Sequence, residues 1–407
     1  MKIIDGGVTA ATGFEAGSTA AGIKYEGRED MAIVFSQVPC KVAGTFTTNV
    51  VKAAPVLWDK NIVDTAPYVR AVIVNSGIAN ACTGEEGMRI CAATAQAVCD
   101  LTGEDVSTVL VGSTGVIGRQ IEEDKIVAGV KALMAVKEDT IEAGTKAAKA
   151  IMTTDTHKKE IALTFEVGGK TITLGGMCKG SGMIHPNMCT MLGYITTDLN
   201  ISKALLQEAL SEVVKDTFNM ISVDGDTSTN DTLLLLANGM ADNEEITEKN
   251  ADYTTFKEVL YIVCEYLAKE MAGDGEGATA LFTCRVVGAK NTRDAKVLAK
   301  AVICSSLTKA AIFGHDANWG RILCALGYSG AQFDPAKVEM HFESAAGSIL
   351  IFKDGVAADY SEEEATKILS EKEVTVICNM HEGDAAATAW GCDLSYDYVK
   401  INADYRS

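Results

Sequence analysis

Residues 179–196 constrain this chain more than any other segment, because glycines, a small residue and a hydroxyl directly precede an apolar run. The segment reads KGSGMIHPNMCTMLGYIT. It suits a chain that cleaves its own Cys189–Thr190 bond and then uses the new terminal threonine. A threonine hydroxyl is a weak nucleophile that needs an adjacent base. The new α-amino group, with an ordinary pKa of about 7.7–8, can be that base. The alternative interpretation is an ordinary glycine-rich loop that leads into a buried element.

Length and composition set the class of protein. A chain of 407 residues is too long for one compact core, and its 47% hydrophobic and 22% charged residues are typical of soluble globular proteins. The N-terminus lacks the apolar core of a signal peptide, and no run of about 18 apolar residues occurs, so we expect a cytoplasmic protein. The net charge of −19 disfavours nucleic-acid and membrane partners. That charge could favour a cationic small molecule, although simple solubility explains most of it.

The twelve cysteines are scattered and form no C-x-x-C pair. Zinc sites need clustered ligands, so the spacing disfavours a metal. Several cysteines, such as Cys264 and Cys378, lie inside apolar segments, where free cysteine behaves as a small buried hydrophobic residue. We therefore expect reduced, structural thiols.

Hydrophobic periodicity alternates short strands with helices and indicates an α+β fold. Strands are predicted at 31–35, 71–74, 161–167, 171–174, 232–237 and 281–287. Helices are predicted at 87–101, 120–136, 254–272 and from a cap at Ser202 to about 219. A change of pattern near residue 281 predicts a larger domain over 1–280 and a smaller α/β domain over 281–407.

Twelve co-linear segments together resemble one known family, the ornithine acetyltransferases, which are the glutamate N-acetyltransferases of the cyclic arginine pathway. They span nearly the whole chain, and segment 179–196 resembles the family's self-cleavage segment. The twelve are GVTA (7–10), GIK (22–24), AGTFTTN (43–49), KAAPV (52–56), VNSG (74–77), ANACTG (79–84), STGVIG (113–118), MTTDT (152–156), SVDGDTSTNDT (222–232), DGEGAT (274–279), NWGRI (318–322) and YVKINADY (398–405).

The resemblance implies a four-layer α-β-β-α core followed by the smaller domain. It also implies cleavage between Cys189 and Thr190 into an α chain, 1–189, and a β chain that starts at 190. The two pieces are expected to stay together and to associate as an α2β2 heterotetramer. Many family members have alanine where Cys189 stands. Cysteine is also small, so we expect cleavage to persist.

The reaction implied by the resemblance moves an acetyl group from N2-acetylornithine to glutamate. Thr190 would hold the acetyl group between two half-reactions, which gives a ping-pong scheme. No cofactor or metal is needed, because the acyl-threonine carries the group. The resemblance leaves open whether acetyl-CoA is also a donor. The alternative enzyme is an amidohydrolase or aminopeptidase with the same nucleophile, in which water replaces glutamate.

Each half-reaction passes through an oxyanion that needs fixed hydrogen-bond donors. The STGVIG segment is a glycine-flanked turn before a predicted helix, so its backbone N–H groups could point at a ligand. By resemblance, Thr114 and Gly115 form the oxyanion hole, Thr114 through its hydroxyl. An ordinary capped turn is the alternative.

Both amino-acid substrates carry a carboxylate and an amine, so the binding site needs a partner for each group. Lys179 could pair with the carboxylate or lower the pKa of the terminal amine. Glu276 could receive the ammonium, its alternative being a solvated turn residue. Ser407 stands where the family often has threonine, and a terminal residue is easily frayed. The binding set implied by the resemblance is Thr153, Lys179, Thr190, Glu276, Asn402 and Ser407.

Two further motifs are interpreted as loop structure. Residues 224–231 resemble the start of a calcium loop, but position 12 is Leu235 and position 6 is Thr229, neither of which fits such a site. A calcium-binding protein is therefore the weaker alternative. His185 lies five residues before Thr190, but an N-terminal nucleophile supplies its own base.

Overall fold

A computed structural model describes residues 1–185 and 191–403, while residues 186–190 and 404–407 lie outside that description. The described chain separates into two compact units. The first comprises residues 1–180, 191–218 and 227–267, and the second comprises 181–185, 219–226 and 268–403. Both units are discontinuous along the chain, and the domain boundary expected at residue 281 stays a prediction.

The first unit contains a mixed sheet and most of the longer helices. Its elements are β1 (Lys2–Ile4), β2 (Phe14–Thr19), β3 (Met31–Phe46), α1 (Ala54–Thr65), β4 (Val69–Asn75), α2 (Gly84–Thr102), β5 (Val109–Ser113), α3 (Glu123–Val136), α4 (Ile141–Ala150), β6 (Lys159–Val167), β7 (Lys170–Lys179), β8 (Leu192–Thr197), α5 (Lys203–Val213), β10 (Thr232–Ala237) and α6 (Ala251–Gly273), whose last turns belong to the second unit.

The nine strands of this sheet follow the order β1-β6-β7-β8-β10-β3-β4-β5, and β2 pairs with β3. The long strand β3 changes register between Phe35 and Cys40. Its first half pairs with β2 and β4, and its second half pairs with β10. The pairs β8–β10 and β4–β5 are parallel. Strand β3 therefore links two halves of the sheet.

An apolar core fills the space between these two halves. One half contributes alternate residues of β3 and β4, such as Val34 and Val72, and the other contributes Tyr194, Leu234 and Leu236. Because successive strand residues point to opposite faces, the intervening residues belong to other packing layers. Burial of this apolar surface is the main stabilising contribution to the first unit.

Helices cover the outer faces of both halves. Ile33 and Ile73 pack with residues of α2 and α3 in a second core cluster. On the other half, the Gln207 side chain in α5 exchanges hydrogen bonds with the Gly44 backbone, and the Cys178 thiol in β7 contacts the Leu267 carbonyl in α6. The expected α-β-β-α layering is confirmed.

The second unit is a smaller α/β structure around a seven-stranded sheet of order β14-β13-β12-β15-β11-β16-β9. Its elements are β9 (Ile221–Ser222), β11 (Leu281–Ala289), α7 (Thr292–Cys304), α8 (Ser306–Phe313), α9 (Trp319–Tyr328), β12 (Glu339–Ser344), β13 (Gly347–Lys353), β14 (Val356–Ala357), α10 (Glu362–Leu369), β15 (Glu373–Asn379), β16 (Ala385–Cys392) and α11 (Tyr396–Asn402).

Helix α7 shows why this unit folds as it does. The Asn291 side chain accepts the Asp294 N–H and caps the helix start. Leu298 and Val302, four residues apart, are buried on one face. That face packs on β11 and β16, so the helix covers the centre of the sheet.

The predicted helix from Ser202 to about 219 is too long. The Ser202 hydroxyl caps α5 as expected, but α5 ends at Val213 and two short 3-10 turns follow, Val214–Asp216 and Phe218–Met220. The Thr217 hydroxyl donates to the Val213 carbonyl, a local bond that competes with helix continuation. None of the helices described has the length and apolar character needed to cross a membrane.

Candidate active site

The turn that follows β5 is fixed against the end of β4. The Thr114 N–H donates to the Asn75 carbonyl over 3.0 Å, and the Val116 N–H donates to the Gly77 carbonyl over 3.1 Å. The Ser113 hydroxyl donates to the Asn75 side-chain oxygen over 2.6 Å in a buried position. The backbone at 114–116 is therefore held against residues 75–77.

Gly115 is required at this turn for two reasons. Its φ of +129° is a conformation that residues with a side chain rarely adopt. A Cβ atom would also lie 2.2 Å from the carbonyl carbon of Gly77. Within residues 1–185 and 191–403, the Gly115 N–H donates to no acceptor. It is thus a fixed donor that a ligand could use.

Lys179, the last residue of β7, connects two of the predicted site residues. Its ammonium Nζ donates to the Thr153 hydroxyl over 2.7 Å and to the Thr114 hydroxyl over 3.5 Å. The residue is only 6% exposed. The structure therefore brings Thr114, Thr153 and Lys179 together within the first unit.

Asp155 completes this cluster and was missed by the sequence reasoning. Its Oδ1 accepts the Lys159 ammonium over 2.8 Å and the Gly180 N–H over 2.7 Å. Its Oδ2 accepts the Thr153 N–H over 3.0 Å and lies 3.7 Å from the Lys179 ammonium. One carboxylate thus fixes Thr153, Lys159 and the backbone that follows β7.

Charge governs the protonation state of Asp155. Burial raises the pKa of its carboxyl, but the ammonium groups of Lys179 and Lys159 outweigh burial and hold that pKa well below its usual range. Buried charged residues are rare unless paired. A carboxylate inside MTTDT followed four residues later by lysine was the signal in the sequence that could have found the pair.

Glu276 and Asn402 meet within the second unit. Glu276 is buried, with 7% exposure, and its Oε2 accepts the Asn402 side-chain N–H over 2.7 Å. Its backbone N–H donates to the Ser181 carbonyl over 2.9 Å. A Cβ atom at Gly182 would lie 2.3 Å from Oε2 of Glu276, so only glycine fits without displacing that carboxylate. Glu276 is a buried, oriented residue and is not a solvated turn residue.

Three of the predicted site residues, Cys189, Thr190 and Ser407, lie outside the described residues. The structure therefore says nothing of their geometry, and their roles stay predictions.

His185 has two polar neighbours, the buried Ser222 and the partly buried Cys304. Its Nδ1 lies 3.1 Å from the Ser222 hydroxyl and 3.5 Å from the Cys304 thiol. Burial, together with the nearby charge of Lys300, lowers the pKa of His185 from 6.5 to about 4. The imidazole is therefore neutral near pH 7, which suits the loop role expected for it.

The residues that resemble a calcium loop bind the protein's own backbone. The Asp224 carboxylate accepts the N–H groups of Met183, Ile184 and Asp226 over 2.6, 2.9 and 3.2 Å. In the described part of the chain, no group of three or more potential ligands could hold a metal ion. These contacts favour the interpretation as loop structure.

Comparison with known proteins identifies relatives over the whole chain. The sequence model of the ArgJ family matches residues 15–407. The arginine biosynthesis bifunctional protein ArgJ of Symbiobacterium thermophilum is 50% identical over 409 residues, 100% of both chains. The protein of the same name from Bacillus subtilis is 44% identical over 404 residues, which are 99% of this chain and 97% of that protein. The crystal structure of ArgJ from Bacillus halodurans matches with 46% identity and a TM-score of 0.50, covering 52% of this chain and 97% of that one.

Proposed function

This chain belongs to the ArgJ family, and we propose that it is a cytoplasmic, self-processing acyltransferase of arginine biosynthesis. It moves an acetyl group from N2-acetylornithine to glutamate and so gives ornithine and N-acetylglutamate. The contact that carries this proposal is the one from the Lys179 ammonium to the hydroxyls of Thr114 and Thr153, beside the Gly115 N–H, which has no acceptor among the described residues. It unites donors for an oxyanion with a cation for a carboxylate.

The first step is cleavage of the chain by itself. The Thr190 hydroxyl attacks the Cys189 carbonyl carbon, the peptide C–N bond breaks, and the nitrogen takes the hydroxyl proton. Water then hydrolyses the resulting ester, which leaves a Cys189 carboxylate and a Thr190 with a free amine and hydroxyl. The free amine is the base that the threonine nucleophile needs in every later step.

The length of the solved Bacillus halodurans chain supports this cleavage. That chain is matched over 97% of its length yet covers only 52% of this one, whereas the Symbiobacterium thermophilum relative is matched from end to end. Residues 190–407 are likewise a little over half of the 407 residues. A solved chain of half length is the expected product of a cut near residue 190.

Acetyl transfer follows from the first-unit cluster. The Thr190 hydroxyl attacks the acetyl carbonyl of N2-acetylornithine, and the Gly115 N–H and Thr114 hydroxyl stabilise the oxyanion that forms. Donors fixed in advance in this way typically lower a barrier by about 3–4 kcal/mol each. Collapse breaks the C–N bond, releases ornithine and leaves acetyl-threonine. The amine of glutamate then attacks the ester and regenerates Thr190.

Recognition of the amino-acid ends uses the remaining predicted residues. Lys179 and Thr153 bind the substrate carboxylate, because an ammonium and a hydroxyl are its natural partners. Glu276, oriented by Asn402, receives the substrate ammonium. Ser407 completes the binding set. The roles of Lys179, Thr153, Glu276 and Asn402 rest on the family resemblance together with the contacts inside each unit. The role of Ser407 rests on the resemblance alone.

The two pieces are proposed to stay together and to pair as an α2β2 heterotetramer. In the sheet of the first unit, β8 and β10 follow the cut while their neighbours β7 and β3 precede it. Hydrogen bonds join both pairs along their length. A cut between β7 and β8 leaves this pairing intact.

Purified protein tests the proposal with two measurements. Intact mass and N-terminal sequencing should show a second chain that begins at Thr190. A single uncut polypeptide in active material would contradict self-processing.

Activity is then compared in three mixtures. N2-acetylornithine with glutamate should yield N-acetylglutamate and ornithine. Acetyl-CoA with glutamate decides whether the chain also uses that donor. Release of acetate from N2-acetylornithine at a rate independent of glutamate would replace the transferase by the amidohydrolase alternative.

A further inference from the structure

The five residues 181–185 form the last described part of the chain before the predicted cut, and they are anchored in the second unit. The Ile184 side chain is 2% exposed, and its carbonyl accepts the Val223 N–H over 2.7 Å. The Ser181 hydroxyl donates to the Asp274 carbonyl over 2.6 Å. The segment is therefore a fixed backbone that ends four residues before Cys189 in the sequence.

Asp224 contacts this segment through both of its carboxylate oxygens. Its Oδ2 accepts the Met183 N–H over 2.6 Å and its Oδ1 accepts the Ile184 N–H over 2.9 Å, so both oxygens grip consecutive backbone donors. The Tyr398 hydroxyl donates to the same Oδ2 over 3.3 Å. Hydrogen bonds to an ionised carboxylate are shorter and stronger than those between neutral groups.

The backbone that Asp224 holds is unusual. Met183 has a φ of +57°, a left-handed conformation that residues with a side chain rarely adopt. Met183 is partly exposed, with 40% exposure, so packing of its side chain does not enforce this conformation. The two carboxylate bonds hold the backbone N–H groups on either side of the Met183 Cα atom.

The loop that contains Asp224 does not need the bonds to Met183 and Ile184 to close its own turn. A local turn is already closed by the Asp226 N–H, which donates to Oδ1 over 3.2 Å. The bonds to Met183 and Ile184 instead bridge 41 and 40 residues of sequence. They join a segment that precedes the cut to one that follows it.

We propose that Asp224 is a positioning residue for self-cleavage, because its carboxylate fixes the backbone at Met183 and Ile184 and thereby the approach of the chain to the Cys189–Thr190 bond. This inference rests on the self-cleavage in the proposed function. Asp224 takes no part in bond making. Positioning matters because the hydroxyl must lie close to the carbonyl carbon of the preceding residue to attack it. A displacement of about 1 Å can lower such a rate by up to 10²-fold.

The test follows the appearance of the two pieces in freshly made protein by intact mass. Asp224→Asn keeps one acceptor and turns an NH2 group toward a backbone N–H, so cleavage should slow by about 10- to 100-fold. Asp226→Asn is the matched control, because Asp226 is an exposed neighbour on the same loop. Tyr398→Phe removes only the phenol contact and should leave the rate within about 2-fold.

A second readout separates positioning from general damage. Molecules of Asp224→Asn that have been cut should show wild-type kcat for acetyl transfer, because the cleaved enzyme no longer needs the segment aligned for attack. A lower kcat per cut molecule would overturn the inference in favour of a merely structural role. If Asp224→Asn does not fold, Asp224→Glu keeps the charge, displaces the carboxylate by one methylene, and should slow cleavage likewise.

Two outcomes distinguish failure of this inference from failure of the proposed function. Wild-type and Asp224 variants that are cut equally fast would overturn the inference and leave self-processing intact. Wild-type protein that is active but never cut would overturn both.

Discussion

The Lys179 ammonium lies 2.7 Å from the Thr153 hydroxyl, although 26 residues separate the two in sequence. The same ammonium is 3.7 Å from the Asp155 carboxylate, so of these two contacts the shorter is to a neutral group. The Lys179 ammonium can therefore also donate a hydrogen bond to the carboxylate of a substrate. The contact also links Thr153 to Thr114 through a single side chain.

Lys179→Met should raise KM for N2-acetylornithine by about 10- to 100-fold, since a hydrogen bond to a charged group contributes about 1.5–3 kcal/mol. Steady-state kinetics over a range of substrate concentrations measures this. Lys170→Met is the control, because Lys170 is an exposed partner of Asp242 on the surface. A lower kcat at unchanged KM would instead assign Lys179 to lowering the pKa of the terminal amine.

Gly115→Ala should reduce kcat for acetyl transfer by about 10²- to 10³-fold, the usual loss for one oxyanion donor. The added Cβ would collide with the carbonyl carbon of Gly77 and turn the N–H away. Single-turnover acetylation of the enzyme isolates this step. Gly118→Ala, at a glycine with φ of +80° and no atom within 4 Å of the added Cβ, carries a similar backbone strain without the collision. Equal losses in the two variants would argue against the oxyanion role.

Stability should rise with pH between about 4 and 6.5 through His185. Its folded pKa of about 4 lies below the ordinary 6.5, so the unfolded chain binds the additional proton in that range. The neutral imidazole therefore contributes its full stabilisation above pH 6.5, and the contribution is lost as pH falls through 4. Allowing for partial exposure, the effect is about 1–2 kcal/mol.

Denaturant unfolding at several pH values checks this slope. His185→Asn should flatten it, whereas His315→Asn, at an exposed position, should leave it unchanged. An identical pH slope in wild-type protein and His185→Asn would contradict the assignment.

Leu234→Ala should lower the free energy of unfolding by about 2–5 kcal/mol, because Leu234 is fully buried between the two halves of the sheet. Thermal unfolding of the purified protein gives the comparison. Leu101→Ala, at a half-exposed helix position, should change stability by less than about 0.5 kcal/mol. Similar losses in both variants would mean that the core between the sheet halves contributes little.

Local patterns in the sequence were sufficient to predict most of the helices and strands. The apolar runs at 232–237 and 281–287 are strands, and the hairpin around Gly168 and Gly169 forms because both glycines adopt positive φ. The helix predicted at 87–101 begins earlier, at Gly84, with Glu85 and Glu86 in its first turn. Acidic residues there complement the helix dipole, a signal that hydrophobic spacing alone does not include.

Pairing between distant segments could not be predicted in the same way. Within the region of β3, the sequence predicted a strand only at 31–35. The strand in fact continues past Pro39 to Phe46. Its second half is stabilised by β10, which lies far along the chain. The Asp155–Lys159–Lys179 cluster likewise depends on the fold, since no local pattern places Lys179 beside a residue after α4.

The strand order β7-β8-β10-β3 in the first unit has a consequence for the order of events in the cell. If Thr190 begins a new chain, two central strands of the sheet come from the later piece and both flanking strands from the earlier one. Separately synthesised halves would each lack the template on which to assemble. The polypeptide must therefore fold as one molecule before it is cut, and mature enzyme should not exchange its halves with those of another copy.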